Sequence, residues 1–236
     1  MISEVTFSTK RASLWQALAP NSERFIRRIN MNLNRFGVPI LGGVEASRRG
    51  YLNEVAFHLA KQAYPDLGAA VYDDVSWSAV NEARGRLEKF EDIKPDDLRE
   101  PTAEEWQEIF RVARSFSRFV ADQSAGSLLV KFAPTFRGCG LLDACAGDIL
   151  IGNKLFEVKA GDRPYRSSDL RQLLTYCSLN SVDHSHEIKS VGCVNPRHGT
   201  YFCIEVDLLA LELSSKSATE LFAEIIYLLS GGDIST

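Results

Sequence analysis

Two kinds of hydrophobic spacing divide the chain near residue 126. Before this point apolar residues recur every three or four positions, which is typical of amphipathic helices. The spacing predicts helices at 22–34, 50–64, 78–93 and 102–123, and Thr102 with Glu105 forms a capping box at the start of the last one. A short strand is predicted near 69–72.

After residue 126 the pattern changes to alternating and β-branched runs, which predict strands. The strands are expected at about 128–134, 140–151, 154–160, 187–194 and 200–206. One helix begins at Ser167 or Ser168, and another spans about 217–229. The order helix, three meandering strands, helix and strand predicts an α/β fold with a mixed central sheet flanked by helices.

Composition limits the possible functions only weakly. The chain is 45% hydrophobic and 25% charged with a net charge of -4, as in an ordinary soluble protein. Residues 1–50 carry a net +5 and residues 51–127 a net -6, so a nucleic-acid surface would have to be local. The basic stretch fits either a phosphate-binding surface or a solvated helix face.

The cysteines and the apolar runs indicate a cellular compartment. The five cysteines form no CxxC pair, and their odd number argues against a disulfide framework. No apolar run is long enough for a membrane span, and the N-terminus lacks the apolar stretch of a signal peptide. We therefore expect a cytoplasmic protein that does not contact a membrane.

The stretch GDILIGNKLFEVKA, residues 147–160, predicts a hairpin with charged residues on one face. Gly152-Asn153 suits a two-residue turn, which would place Asp148 directly opposite Glu157. Because side chains alternate along a strand, Lys159 shares their face. The other face is apolar and consists of Ile149, Ile151, Phe156 and Val158.

Two carboxylates in direct opposition destabilise a strand pair unless something offsets their charge. Mg²⁺ or Mn²⁺ could be held by Asp148, Glu157 and the backbone carbonyl of Val158, with Lys159 beside an attacking water or a phosphate. A surface salt-bridge cluster is the alternative explanation. Asp143 is a weaker candidate than Asp148, because strand alternation places it on the opposite face.

The helix after the hairpin carries further polar residues. Gln172 and Tyr176 are four residues apart and share a face away from the leucines of this helix, so they could reach the cation or a nucleic-acid backbone. Three arginines nearby, Arg163, Arg166 and Arg171, are candidates for nucleic-acid contacts.

These motifs resemble the PD-(D/E)XK nuclease superfamily, in particular its RecB-like branch with a QxxxY helix. The resemblance rests on Asp148, on Glu157-Val158-Lys159 and on Gln172 with Tyr176, and it covers roughly residues 128–206. It implies a restriction-endonuclease-like αβββαβ core, with a helical region at 1–125 followed by the nuclease core and a C-terminal helix at 126–236.

The resemblance also implies catalytic roles. Asp148 and Glu157 would hold Mg²⁺ or Mn²⁺, Lys159 would be the catalytic lysine, and the substrate would be DNA. Glu54, which follows Gly50 in a G-x-x-x-E pattern, would be a further ligand if the first core helix is 50–64 rather than 102–123; a solvent-facing acid is the alternative. A homodimer or a larger defence, restriction or repair complex fits the same resemblance.

Other features favour simpler explanations. A nuclease fold that binds DNA or a protein without cutting is the alternative function. The segment from Asp183 to Glu187, with its two histidines, is interpreted as a polar turn. Arg197 in the turn 195–199 could contact a phosphate, but a solvated turn residue is the favoured interpretation.

Overall fold

The computed structural model describes residues 2–42, 44–65, 73–88, 95–125 and 129–231. Its first half is helical. The helices are α1 (Glu4–Lys10), α2 (Ala12–Leu18), α3 (Ser22–Met31), α4 (Arg49–Ala63), α5 (Asp73–Leu87) and α6 (Ala103–Ser124), with a short 3₁₀ helix at Pro95–Leu98 before α6. The predicted capping box opens α6: the Glu105 N–H donates to Thr102 Oγ1 (3.3 Å) and the Thr102 N–H to Glu105 Oε2 (2.8 Å).

The strands and the later helices follow. The strands are β1 (Asn34–Arg35), β2 (Val130–Phe132), β3 (Thr135–Phe136), β4 (Cys145–Ala146), β5 (Ile149–Ile151), β6 (Lys154–Val158), β7 (Ser190–Asn195) and β8 (Thr200–Glu205). Helix α7 (Ser167–Asp183) joins β6 to β7, and α8 (Val206–Ser214) and α9 (Ala218–Leu229) end the described chain.

The main sheet is mixed and lies between helices, which confirms the predicted α/β class. Its order is β1-β8-β7-β6-β5-β2; β6 and β7 are parallel, and the other neighbours are antiparallel. The strands β2, β5 and β6 form the meander, and α7 is the crossover to the parallel strand. Strands β3 and β4 form a separate antiparallel pair.

Hydrophobic cores lie on both faces of this sheet. On one face α4, α5 and α6 pack against Ile149, Ile151 and Phe156. On the other, α7, α8 and α9 pack against Leu150 and Leu155, together with residues of α1–α3. Helix α6 ends at Ser124, next to the predicted division between residues 1–125 and 126–236, and helices before that point contribute to both cores.

The hairpin register is as predicted. Ile149 pairs with Phe156, Leu150 with Leu155, and Ile151 with Lys154. Because Leu150 and Leu155 face α7, strand alternation directs Asp148 and Glu157 toward that side as well.

The predicted strand at 140–151 was wrong as one element, since only Ile149–Ile151 joins the main sheet. The neighbouring strand is interrupted at the same level: β2 ends at Phe132, and the next residue, Ala133, has a φ of 50°. Two backbone hydrogen bonds, from Ala133 N to Asp148 O (2.9 Å) and from Gly147 N to Pro134 O (3.0 Å), hold the two segments together across the break. Asp143 therefore lies outside any strand.

Several element boundaries also differ from the prediction. Helix α3 ends three residues early and is followed by β1, which pairs with β8. Helix α5 begins at Asp73, five residues before the predicted start, and the end of the predicted range lies outside the described residues. The strand predicted near 69–72 also lies outside them.

Helices α1, α2 and α8 were not predicted. Across the described parts of the chain, no helix combines the length and the apolar character that crossing a membrane requires.

Candidate active site

A cleft of about 620 Å³ opens where β6 ends. Helix α4 forms one wall, and the loop after β6 forms another. The start of α1 also lines the cleft, and the last turn of α5 contributes Arg86. The charged residues that line it are Glu4, Arg49, Glu54, Arg86, Asp148, Glu157, Lys159, Asp162 and Arg163. Several of the residues predicted from sequence therefore lie in one cleft.

Asp148, the residue just before β5, is fixed by the backbone of the opposite strand. Its Oδ2 accepts a hydrogen bond from the Val158 N–H at 2.7 Å, and the residue is only 7% exposed. Burial raises the pKa of this carboxyl group, while the charges of Arg86 and Lys159 oppose the rise. Val158 itself lines the cleft.

Glu157 is paired through only one of its oxygens. Oε1 lies 3.0 Å from Lys159 Nζ. Oε2 is buried and has no hydrogen-bond partner among the described residues. Burial, together with the nearby Asp148 carboxylate, raises the pKa of Glu157 to about 8.

Lys159 is held between two acceptors. Its Nζ donates to Glu157 Oε1 at 3.0 Å and to Gln172 Oε1 at 2.9 Å. Burial lowers the pKa of the lysine, but the charges of Glu157, Asp169 and Asp148 outweigh it, and the pKa lies above its ordinary value. The ammonium group therefore remains charged at neutral pH.

The Gln172–Tyr176 pair forms a support behind Lys159. Gln172 Nε2 donates to Tyr176 Oη (2.9 Å), and this hydroxyl donates to the Ala146 carbonyl (3.3 Å). Gln172 lines the cleft, whereas Tyr176 is buried and stacks on Phe136 with ring centroids 5.1 Å apart. Tyr176 thus fixes the orientation of Gln172 rather than reaching into the cleft.

Glu54 comes from α4, so of the two helices left open by the sequence α4 is the one that supplies an acid to the cleft. Its Oε1 lies 3.0 Å from Arg86 Nη1 and 3.3 Å from His58 Nε2. Burial raises the pKa of Glu54, but the contacts with His58 and Arg86 outweigh it and lower the pKa overall. His58 also contacts Glu82, with its Nδ1 2.7 Å from Oε2.

The three predicted DNA-contacting arginines lie in different environments. Arg163 lines the cleft and forms two bonds of 2.8 Å to Asp169. Arg166 is exposed at the start of α7. Arg171 is 9% exposed, does not line the cleft and has Glu23 of α3 as its nearest acid, 3.9 Å away.

Arg197 was expected in solvent, but it is 2% exposed and joins the walls of the cleft. Its Nη1 lies 2.6 Å from Glu108 Oε1, its Nη2 donates to Asn53 Oδ1 (2.8 Å), and its Nε donates to the Ala160 carbonyl (3.2 Å). Asn53 also donates to that carbonyl at 2.8 Å. These bonds join Asn53, the neighbour of Glu54, to Ala160, the neighbour of Lys159.

The sequence did not predict that Arg86 and Asn53 line the cleft, or that Arg197 is buried. Arg86 lies in a helix whose sequence shows no catalytic motif, and Asn53 could have been noted only as the neighbour of Glu54. No local pattern indicates the partners of Arg197, because Glu108 is 89 positions away.

The residues present suit a hard divalent cation, although they do not enclose one. Within the described ranges, no three His, Cys, Asp or Glu side chains are grouped closely enough to hold a metal ion. Two buried carboxylates nevertheless face one cleft, and Glu157 Oε2 needs a partner. Oxygen ligands of this kind are those that Mg²⁺ and Mn²⁺ prefer.

Comparison with known proteins does not assign the chain to a family. No family model matches the sequence, and no curated protein matches it significantly.

Proposed function

We propose that the protein is a metal-dependent nuclease that hydrolyses phosphodiester bonds of DNA in the cleft at the end of β6. The proposal includes a restriction-endonuclease-like core, for which the helix, meander, crossover helix and parallel strand are the supporting features. A place in phage defence, restriction or DNA repair is part of the same proposal.

One observation carries the proposal: Lys159 Nζ is fixed between Glu157 and Gln172 beside the buried carboxyl group of Asp148. Burying the two carboxyl groups of Asp148 and Glu157 side by side is costly unless their arrangement has a use or a partner. A surface salt-bridge cluster, the alternative explanation from sequence, does not fit, because Asp148 and Glu157 are 7% and 5% exposed.

The roles of the residues follow from their contacts. Asp148 and Glu157 offer carboxylate oxygens to a cation, which when bound would activate water and polarise the phosphate. Lys159 keeps its proton, so it acts as a positive charge beside the phosphate and not as a base. Gln172, supported by Tyr176, holds that charge in place.

A binding protein without cleavage activity is the second candidate, and Arg86 is the observation that favours it. The guanidinium group contacts Glu54 at 3.0 Å and lies 3.7 Å from Asp148, so part of the negative charge already has a partner. Such a protein would bind DNA in the cleft and would leave it intact.

Incubation with plasmid and with single-stranded DNA, in Mg²⁺, Mn²⁺ or EDTA, tests the proposal. The wild type should cut in at least one of the two metals and not in EDTA. Lys159→Ala should cut about 100- to 1000-fold more slowly, because one charge at the reacting phosphate is lost. Glu157→Ala should abolish detectable cleavage.

Lys189→Ala is the matched control, because this lysine is 67% exposed and lies away from the cleft. It should cut as fast as the wild type. Intact DNA in every metal, with a wild type that still shifts the DNA on a gel, would replace the nuclease proposal by the binding protein.

A further inference from the structure

Arg86 is placed where the carboxylates of the cleft need a cation. It lies in the last turn of α5, its Nη1 is 3.0 Å from Glu54 Oε1, and its Nη2 is 3.7 Å from Asp148 Oδ1. The same guanidinium group thus bridges an acid of α4 and an acid of the sheet. Both acids are candidate ligands of the proposed metal ion.

The side chain is held but not enclosed. It is 46% exposed, whereas the side chains of Glu54 and Asp148 are 20% and 9% exposed. The two carboxyl groups that attract Arg86 are therefore shielded from solvent, while the arginine itself lies at the mouth of the cleft and can turn toward solvent. A guanidinium group also has a planar set of donors that matches two oxygens of a phosphate.

Charge favours an exchange of partners. Five acids and four bases line the described part of the cleft; with all of them ionised, a divalent cation would change its formal charge from -1 to +1. Once a cation neutralises the acids, the attraction that holds Arg86 on them weakens. The arginine and the cation cannot both be the main counter-charge of Asp148.

We propose that Arg86 is the residue that binds the substrate's phosphate, and that in the metal-free protein it is held in reserve by Glu54 and Asp148. A divalent cation competes with it for the two carboxylates, and the displaced guanidinium group then takes the phosphate as its new partner. This inference rests on the proposed function, because it needs a cation and a phosphodiester in the same cleft.

Two measurements on Arg86→Gln separate this role from a structural one. The first is Mn²⁺ affinity without DNA, followed by the electron paramagnetic resonance signal of free Mn²⁺. The variant should bind Mn²⁺ about tenfold more tightly than the wild type, because the competing charge is gone. Arg86→Lys, which keeps the charge, should remain close to the wild type.

The second measurement is the affinity for a labelled oligonucleotide in Ca²⁺, followed by fluorescence anisotropy and checked for intact DNA on a gel. Arg86→Gln should bind the oligonucleotide about tenfold more weakly, because a charged hydrogen bond to phosphate is lost. Arg118→Gln is the control for loss of one charge, since that arginine is 71% exposed on α6. It should match the wild type in both measurements.

Arg86→Gln is expected to change the two affinities in opposite directions, with tighter binding of Mn²⁺ and weaker binding of the oligonucleotide. If Arg86→Gln weakens both affinities, Arg86 only supports the structure of the cleft, and the inference is wrong. If Mn²⁺ binds the wild type and the variant equally, the inference is also wrong although the proposed metal site stands. If the wild type and Glu157→Gln both fail to bind Mn²⁺, the proposed function fails and the inference fails with it.

Discussion

At the scale of single residues, Glu157 combines a buried carboxyl group with a single lysine partner. Burial and the charge of Asp148 raise its pKa to about 8, so much of it is protonated at neutral pH in the metal-free protein. The proton belongs on Oε2, because Oε1 accepts from Lys159 and Oε2 has no partner within the described chain.

This shift makes the metal-free protein less stable as pH rises. The folded-state pKa of about 8 lies above the unfolded value of 4.5, so folding favours the proton and its contribution is lost between about pH 4.5 and pH 8. Glu157→Gln removes the ionisation. At pH 9 in EDTA the variant should be more stable than the wild type by a few kcal/mol, because each unit of pKa shift corresponds to about 1.4 kcal/mol.

Urea unfolding at pH 5 and pH 9 measures this difference. Glu187→Gln is the control, because Glu187 is exposed and lies outside the cleft. Equal stabilities of wild type and Glu157→Gln at both pH values would show that the carboxyl group ionises normally in the fold.

Residue-level prediction from sequence succeeded where spacing alone defines geometry. The Gly152-Asn153 turn fixes the register of its two strands, and the register brings Asp148, Glu157 and Lys159 into one cleft. Arg86 could not be found this way, because its place depends on how α5 packs on α4. Side-chain direction across such a contact is set by tertiary packing and not by periodicity.

At the scale of elements, Arg197 and Glu108 connect α4, α6 and the loop after β6. Both residues are 2% exposed, and their nitrogen and oxygen atoms are 2.6 Å apart. A buried ion pair that loses one partner leaves an uncompensated charge, which costs more than the pair contributes when it is intact. The junction therefore fixes the wall of the cleft that carries Glu54.

Arg197→Met should lower the free energy of unfolding by about 3 kcal/mol, because Glu108 stays buried without its cation. The double variant Arg197→Met/Glu108→Leu should recover part of this loss. Arg28→Met is the comparison: its pair with Glu212 is also 2.6 Å long, but Arg28 is 58% exposed. That change should cost less than about 1 kcal/mol.

Urea unfolding of the four proteins measures these values. A loss in Arg197→Met no larger than that in Arg28→Met would contradict the assigned role of the junction. Equal losses in the single and double variants would show that the buried charge of Glu108 is not the cause.

Element prediction was most accurate where a cap or a turn marks a boundary. The Thr102–Glu105 box gives the start of α6, and Ser217 is the N-cap of α9. The strand predicted at 140–151 was wrong because its apolar run continues through Gly147, whereas the pairing with β2 ends at Ile149, beside the positive-φ residue Ala133. The end of a pairing between two strands leaves no mark on the apolar pattern of either one.

At the scale of the whole molecule, the N-terminal helices and the sheet share their cores. Trp15 of α2 is fully buried in the core on the α7 side, and Trp106 of α6 packs at the edge of the other core. Because each core contains residues from both halves of the chain, the helices before residue 125 should not unfold separately from the sheet.

Urea denaturation followed by two probes tests this expectation. The three tryptophans all lie before residue 125, so their fluorescence reports the helical half. Hydrogen exchange of the β7 amides reports the sheet. The two transitions should have the same midpoint, and a fluorescence change that is complete while β7 stays protected would indicate two independent units.

The overall order of elements was predictable, because helices and strands have different hydrophobic periods. How the N-terminal helices are distributed over the two faces was not, since amphipathic stripes such as those of α4 and α3 do not identify the surface they cover. Leu52 of α4 and Phe25 of α3 are both buried, yet they lie in different cores.

Anomalous diffraction from crystals grown with Mn²⁺ would show directly whether the cleft binds a metal ion. We expect an Mn²⁺ peak at about 2.0–2.3 Å from oxygens of Asp148 and Glu157, with the Arg86 guanidinium group moved off Asp148. An Mn²⁺-containing crystal with no peak in this cleft, and with Arg86 still on Glu54 and Asp148, would contradict this expectation.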